Sequence, residues 1–272
     1  MPPSPPASRR WSTATTADRA VGLGVSTRTR GAYEPDLPTG ADKTAKVRSM
    51  FDTIAPRYDL VNRVMTLGLD QGWRRTTVNA LALAPGMVVL DLACGTGDLS
   101  TMANRRGYRT IGADLSWGML AANRTGEPAL QCDAANLALA DRSIDGIVCG
   151  YALRNFTDLA GSLREAARVL RPGGRIAVLE VAAPPRGLMR NGHRIWFERV
   201  VPVLGALLSD ADAYRYLPRS TAYLPSDVGL RRLFLDAGFS TVGRRLLHGG
   251  LSQLITATRA GLPEPPDTRA AR

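Results

Sequence analysis

Residues 87–99 read Met-Val-Val-Leu-Asp-Leu-Ala-Cys-Gly-Thr-Gly-Asp-Leu. Met87 to Leu92 is apolar except for Asp91. It is too short for a helix and has the composition of a strand covered on both faces. The run ends in a turn where Gly95 and Gly97 let the backbone pass close to a ligand, since a Cβ would clash there. A helix is expected next, near Leu99–Arg105. Strand, glycine turn and helix in that order begin a parallel βα unit. The dinucleotide fingerprint needs a third glycine three residues after the second, and Ser100 stands there instead. Asp91 and Asp98 flank the turn and would repel a pyrophosphate. They suit a ligand that brings positive charge.

The alternation continues on both sides. Residues 43–83 read as two or three amphipathic helices, interrupted at Pro56. Downstream, strands are expected at Thr110–Ala113, Ala129–Cys132 and Ile144–Cys149. A helix should follow Ser116, a good N-cap, and another should span 158–170, where Leu159, Leu163, Ala167 and Leu170 recur at helical spacing. Pro172-Gly173-Gly174 predicts a turn before a strand at Arg175–Val181. A helix at 226–237 leads to strands near Thr241–Leu246 and Ser252–Thr258, close enough in sequence to be antiparallel. Such repetition predicts a doubly wound, mostly parallel α/β sheet. Residues 186–224 break the rhythm and look helical. Trp196, Phe197, Val200, Val201, Val203, Leu204, Leu207 and Leu208 give that insert much apolar surface.

Ligands of open α/β sheets bind beyond the carboxyl ends of the strands. Three strand ends here carry acids. After Asp91 comes Asp114, closing the second strand 17 residues beyond Gly97. A carboxylate at that place can accept both hydroxyls of a ribose. Asp133, after the third strand, can accept from an adenine amino group, with apolar neighbours around the ring. The alternative for Asp114 is a helix N-terminal acid before Ser116, and for Asp133 a turn residue; three acids at successive strand ends point to a nucleoside.

The chain has 272 residues and a formal charge of +11. Lys43 and Lys46 are its two lysines, so 33 of the 35 basic residues are arginine. Arginines spread along the chain in pairs such as Arg74-Arg75, with no basic stripe interleaved with aromatics, argue against a nucleic-acid binder. Weak attraction to an anionic membrane surface stays open. Cys94, Cys132 and Cys149 make neither a disulfide framework nor a metal-ligand spacing. Residues 1–42 hold six prolines and no periodicity. They are expected to be a disordered low-complexity extension rather than a secretory signal, and residues 261–272 a second loose tail. The domain is placed at 43–260, with 43–83 as a helical lid. No apolar run reaches the ~20 residues of a membrane span.

Asp91-x-x-x-Gly95-x-Gly97, Asp114 and Asp133 resemble class I S-adenosylmethionine-dependent methyltransferases. Further stretches are similar to the ubiquinone/menaquinone biosynthesis C-methyltransferases. They are Phe51-Asp52-x-Ile54-Ala55-x-Arg57-Tyr58-Asp59-x-x-Asn62, Leu153-Arg154-Asn155, Arg168-Val169-Leu170-x-Pro172-Gly173-Gly174-Arg175 and Tyr214-x-Tyr216-Leu217-x-x-Ser220. The resemblance covers about 44–259. It implies a seven-stranded Rossmann-like fold and S-adenosyl-L-methionine as cofactor, held by Asp91, Gly95, Thr96, Gly97, Asp114, Asp133, Ala134 and Gly150. At Gly150 the family often has Ser, so only a backbone contact survives; at Asp133 it often has Asn. The acceptor implied is a prenylated quinol, most closely demethylmenaquinol. Arg154 is expected to stabilise the quinolate or align a base water, and Asn155 and Tyr58 to orient the ring. A small-molecule methyltransferase of secondary metabolism, a ubiquinone-pathway enzyme and a non-catalytic cofactor-binding subunit are the competing readings. The resemblance suits a cytoplasmic protein, peripheral to the inner face of the membrane, and leaves a homodimer open. His193 and His248 fall in no catalytic motif of the family and read as structural, as does Cys94.

Overall fold

The computed structural model describes residues 37–182, 196, 199, 216 and 219–261. Seven strands form one sheet in the order β3-β2-β1-β4-β5-β7-β6. They are β1 Val88–Leu92, β2 Arg109–Asp114, β3 Ala129–Gln131, β4 Ile144–Gly150, β5 Leu170–Val181, β6 Phe239–Leu247 and β7 Ser252–Arg259. The first five run parallel, and β7 pairs antiparallel with both β5 and β6. Only β7 is therefore reversed. The chain winds outward from β1 through β2 to β3, then returns to place β4 on the other side. The crevice between the ends of β1 and β4 is the switch point where such sheets bind ligands.

Alternation along the central strands builds two cores. Val89, Val148, Ala177 and Leu179 face one side, under α3 (Leu69–Ala80) and α4 (Asp98–Arg105), whose Trp73, Val78, Leu99 and Ala103 cover them. Leu90, Leu92, Ile147, Cys149, Ile176 and Val178 face the other. There α6 (Leu159–Val169) brings Leu163, Ala166 and Ala167, and α7 (Asp227–Asp236) brings Leu230 and Phe234. Near-continuous apolar strands are what two covered faces require.

A third, smaller core forms a roof. In α1 (Gly40–Ile54), the 3₁₀ turn Ala55–Arg57 and α2 (Tyr58–Met65), Ile54, Ala55 and Val61 bury against Met119 of α5 (Trp117–Ala121). Gly118 permits this approach. A Cβ there would lie 2.8 Å from the Asp52 Cα, inside contact distance. Trp196 packs on the same cluster and donates its indole N–H to the Met65 carbonyl.

Two expectations need correction. The first helix starts at Gly40, so a tail drawn to residue 42 cuts into its first turn. The lid expected over 43–83 is narrower. Helix α3 covers the sheet, and among the described residues α1, the turn Ala55–Arg57 and α2 form the roof, with Trp196 packed on it. Pro172–Gly174 interrupts the ladder as expected: β5 begins at Leu170, opposite Ile144, but its register with β4 resumes only at Arg175, opposite Gly146, with Gly173 at φ 78° between them. The expected tail before residue 37, the tail after 261 and most of the insert 186–224 lie outside the described residues.

Candidate cofactor and acceptor site

A cleft of about 930 Å³, counting its open mouth, lies at the strand ends beneath α1 and α2. Its floor is the loop after β1, Asp91 to Thr96, and its far walls are the ends of β2, β3 and β4. Thr44, Val47, Arg48, Phe51 and Tyr58 look down from the roof.

Gly97, at φ 90°, occupies the cap position before α4. Any side chain there would strain the backbone and meet Thr125 Cγ2 at 2.5 Å. The turn aims Gly95 N–H at Asp114 Oδ2, 2.8 Å away, while Ser116 N–H donates to Asp114 Oδ1 at 2.8 Å. Burial raises the Asp114 pKa, and the backbone donors only partly offset it. Each of its oxygens keeps a lone pair for a ribose hydroxyl. Asp133 is exposed at the cleft edge; its Oδ1 accepts from Ala135 N–H, which sets the turn. Leu115, Cys132 and Ala134 supply apolar surface beside it.

Asp91 is wholly buried. Its Oδ2 accepts from Ser100 N–H and Oγ–H at 2.8 and 2.7 Å. Its Oδ1 has no partner, the one such buried side-chain atom among the described residues. Burial pushes its pKa up to about 7, against the Ser100 bonds and the charge of Arg74. A buried acceptor without a donor costs free energy that a ligand's N–H can recover. An ammonium for Asp91, two hydroxyls for Asp114 and a base amino group for Asp133 are among the polar groups that S-adenosylmethionine carries. These residues fit it.

Two latches tie roof to floor. Thr96 Oγ donates to Asp59 Oδ1 at 2.6 Å. Ser116 Oγ and Gly118 N–H both donate to Asp52 Oδ1, at 2.6 and 2.8 Å.

The ubiE/COQ5 methyltransferase family matches residues 39–259. The chain belongs to this family. A demethylmenaquinone methyltransferase of Thermus thermophilus is 42% identical over 221 residues, 77% of this chain and 100% of its own length. One from Mycolicibacterium paratuberculosis is 41% identical, over 78% of this chain and 94% of its own. Among solved structures, a putative S-adenosyl-L-methionine-dependent methyltransferase of Methanococcus maripaludis superposes with a TM-score of 0.56. It has 16% identity and covers 79% of this chain and 95% of that one. The chain is thus a methyltransferase with the class I fold.

Of the expected cofactor residues in this methyltransferase, Asp91, Gly95, Thr96, Asp114, Asp133, Ala134 and Gly150 line the cleft. Gly97 does not; it shapes the turn. A Cβ on Gly150 would sit 3.0 Å from Leu99 Cδ1 and 3.6 Å from Arg74 Nη1, so the space beside it is occupied. Tyr58 and Asn155 also line the cleft.

Arg154 does not, and here the expectation fails. Its side chain is 5% exposed and forms a hydrogen-bonded ion pair with Glu180, which is fully buried. It also donates to the Tyr151 carbonyl at 2.7 Å and to Ser220 Oγ at 3.1 Å. Beside it, Tyr216 OH reaches Asn155 Oδ1 at 3.5 Å. Arg154 thus ties the Leu-Arg-Asn motif to the Tyr-x-Tyr-Leu-x-x-Ser motif, with its charge spent on Glu180. The signal was Glu180 itself. A lone acid in the apolar run Ile176–Val181 demands a buried cation.

Arg74 and Tyr151 were missed. Both line the cleft. Arg74 sat unnoticed in a sequence full of arginine pairs. His248 lies outside the cleft and accepts from Trp73 Nε1–H at 2.6 Å, a structural bond. Burial raises the Cys94 thiol pKa far above its ordinary value, which suits a packed residue. His193 lies outside the described residues. No group of three metal-ligating side chains occurs among the described residues.

Proposed function

We propose that this methyltransferase transfers the methyl group of S-adenosylmethionine to a ring carbon of a prenylated quinol, demethylmenaquinol, in menaquinone biosynthesis. The observation that carries the reading is about 40% identity to relatives of that name along nearly their whole length. S-adenosylmethionine supplies a methyl group already activated on a sulfonium. Asp91, Asp114 and Asp133 hold the donor so that the methyl faces the acceptor. Phe51, Val47, Ala152 and Phe156 give the ring an apolar wall and keep water out. Tyr58 and Asn155 orient the quinol hydroxyl whose lost proton makes the ring carbon nucleophilic. Arg154 is a positioning residue that holds Asn155 in place from behind.

The test incubates purified protein with methyl-labelled cofactor and demethylmenaquinol. Label on the quinone ring is expected. No transfer, with cofactor affinity intact, would overturn the acceptor and favour a small-molecule methyltransferase. The reading includes peripheral membrane association, because a prenyl tail resides in lipid. Leu60 and Leu67 are 55% and 75% exposed on the roof, with Arg57 and Arg63 exposed nearby. No helix among the described residues is long and apolar enough to cross a membrane. Flotation with anionic vesicles, reduced for Leu60→Ser with Leu67→Ser, checks this.

A further inference from the structure

Arg74 is the buried cation among the described residues that line the cleft; the other lining arginine, Arg48, is exposed. Its side chain is 8% exposed. It is held by Nε alone, 3.4 Å from Asp70 Oδ2 and 3.5 Å from Asp98 Oδ2, and lies over the Tyr151 ring at 5.7 Å. Of its five N–H donors, those on the terminal nitrogens have no hydrogen bond among the described residues. Nη1 is instead 3.6 Å from where a Cβ would leave Gly150, at the end of β4 and on the cleft wall. Two acids clamp the stem of the group, and its fork is left over.

The position of that fork tells what it meets. Asp114 and Asp133 lie at the ends of β2 and β3, on one side of β1. Arg74 lies on the other side, among Asp91, Leu99, Gly150 and Tyr151. A donor whose nucleoside sits over β2 and β3 lays its amino-acid end over β1 and β4. That end carries one ammonium and one carboxylate. Asp91, with its free Oδ1, can serve only the ammonium when ionised.

We infer that Arg74 binds the carboxylate of the methyl donor's amino-acid end, and that its contacts with Asp70, Asp98 and Tyr151 hold the guanidinium ready for it. The pairing is a planar fork against a planar anion, which a guanidinium completes with two parallel bonds. Burial opposes the charge on Arg74, but Asp98, Tyr58, Tyr151 and Asp70 outweigh it and raise the pKa, so the cation persists. The inference rests on the cofactor, not on the acceptor.

Calorimetry on the full chain, without quinol, tests it with two ligands. One is S-adenosylhomocysteine; the other is its decarboxylated analogue S-adenosyl-3-thiopropylamine, which keeps the ammonium. Wild type should prefer the first by roughly ten- to hundredfold, the range of one charge-assisted pair. Arg74→Met should lose that preference, weakening the first ligand while leaving the second nearly unchanged. Arg74→Lys should restore part of it. Equal affinity of the wild type for both ligands overturns the inference, and needs no variant to fold. So does an Arg74→Met protein that weakens both ligands alike, which would make Arg74 a strut between α3 and α4. A failed methylation assay leaves these outcomes untouched, because no acceptor is present.

Discussion

At the scale of single residues, the acids of the cleft give the sharpest tests. Asp114→Ala removes an acceptor that also receives Gly95 and Ser116 N–H groups. S-adenosylhomocysteine should then bind about ten- to hundredfold more weakly, measured by calorimetry. Asp91 gives a pH signature. Its folded pKa of about 7 lies above the ordinary 3.8. The folded protein therefore holds a proton that the unfolded chain releases. Its stabilising contribution is present below pH ~4 and is lost as pH rises through 7. Ligand binding runs the other way, since an ammonium prefers the ionised acid. Affinity for S-adenosylhomocysteine should rise roughly tenfold from pH 6 to 8, and Asp91→Asn should flatten the profile. A slope unchanged in that variant would assign the titration elsewhere. These acids were legible because apolar runs place the strand ends, and Asp91 and Asp114 fall at the ends of β1 and β2. Arg74 was not, because which face of α3 meets the cleft depends on how that helix lies across the sheet.

Among the elements, the sequence predicted strands and helices to within a few residues wherever the period was clean. It misjudged those set by partners far away. Arg154 is the clearest case. Its motif lies at the mouth of the cleft, but its side chain turns back to Glu180 on β5, a pairing across 26 residues. Arg154→Leu leaves a buried carboxylate unpaired, and breaking such a pair costs about 3–5 kcal/mol. Chemical denaturation should show a loss of that size, and Arg154→Leu with Glu180→Leu should recover much of it. If the single variant keeps wild-type stability and loses only turnover, Arg154 acts on the substrate after all.

For the whole molecule, the N-terminal boundary matters. Tyr223 OH donates to the Pro38 carbonyl, and Lys43 Nζ reaches the Phe156 carbonyl at 2.8 Å and lies 3.7 Å from the centre of the Tyr223 ring. These contacts fasten the start of α1 to the far side of the cleft. A chain beginning at residue 37 keeps them. One beginning at 43 loses the Pro38 bond and the first turn of α1, and its Tm should fall by a few degrees relative to the longer one. Equal melting temperatures would show that the turn adds nothing. The two latches have a consequence of another kind. Thr96 and Ser116 spend their hydroxyls on Asp59 and Asp52, so the roof is bolted to the loops that receive the donor. We predict that these bonds slow the departure of a spent donor. Its residence time is then a clock separate from the chemistry, and the slower of the two sets the pace. Asp52→Ala should shorten that residence several-fold in a stopped-flow chase. If methyl transfer is the fast step, the same change should make the enzyme turn over faster while holding its donor less firmly.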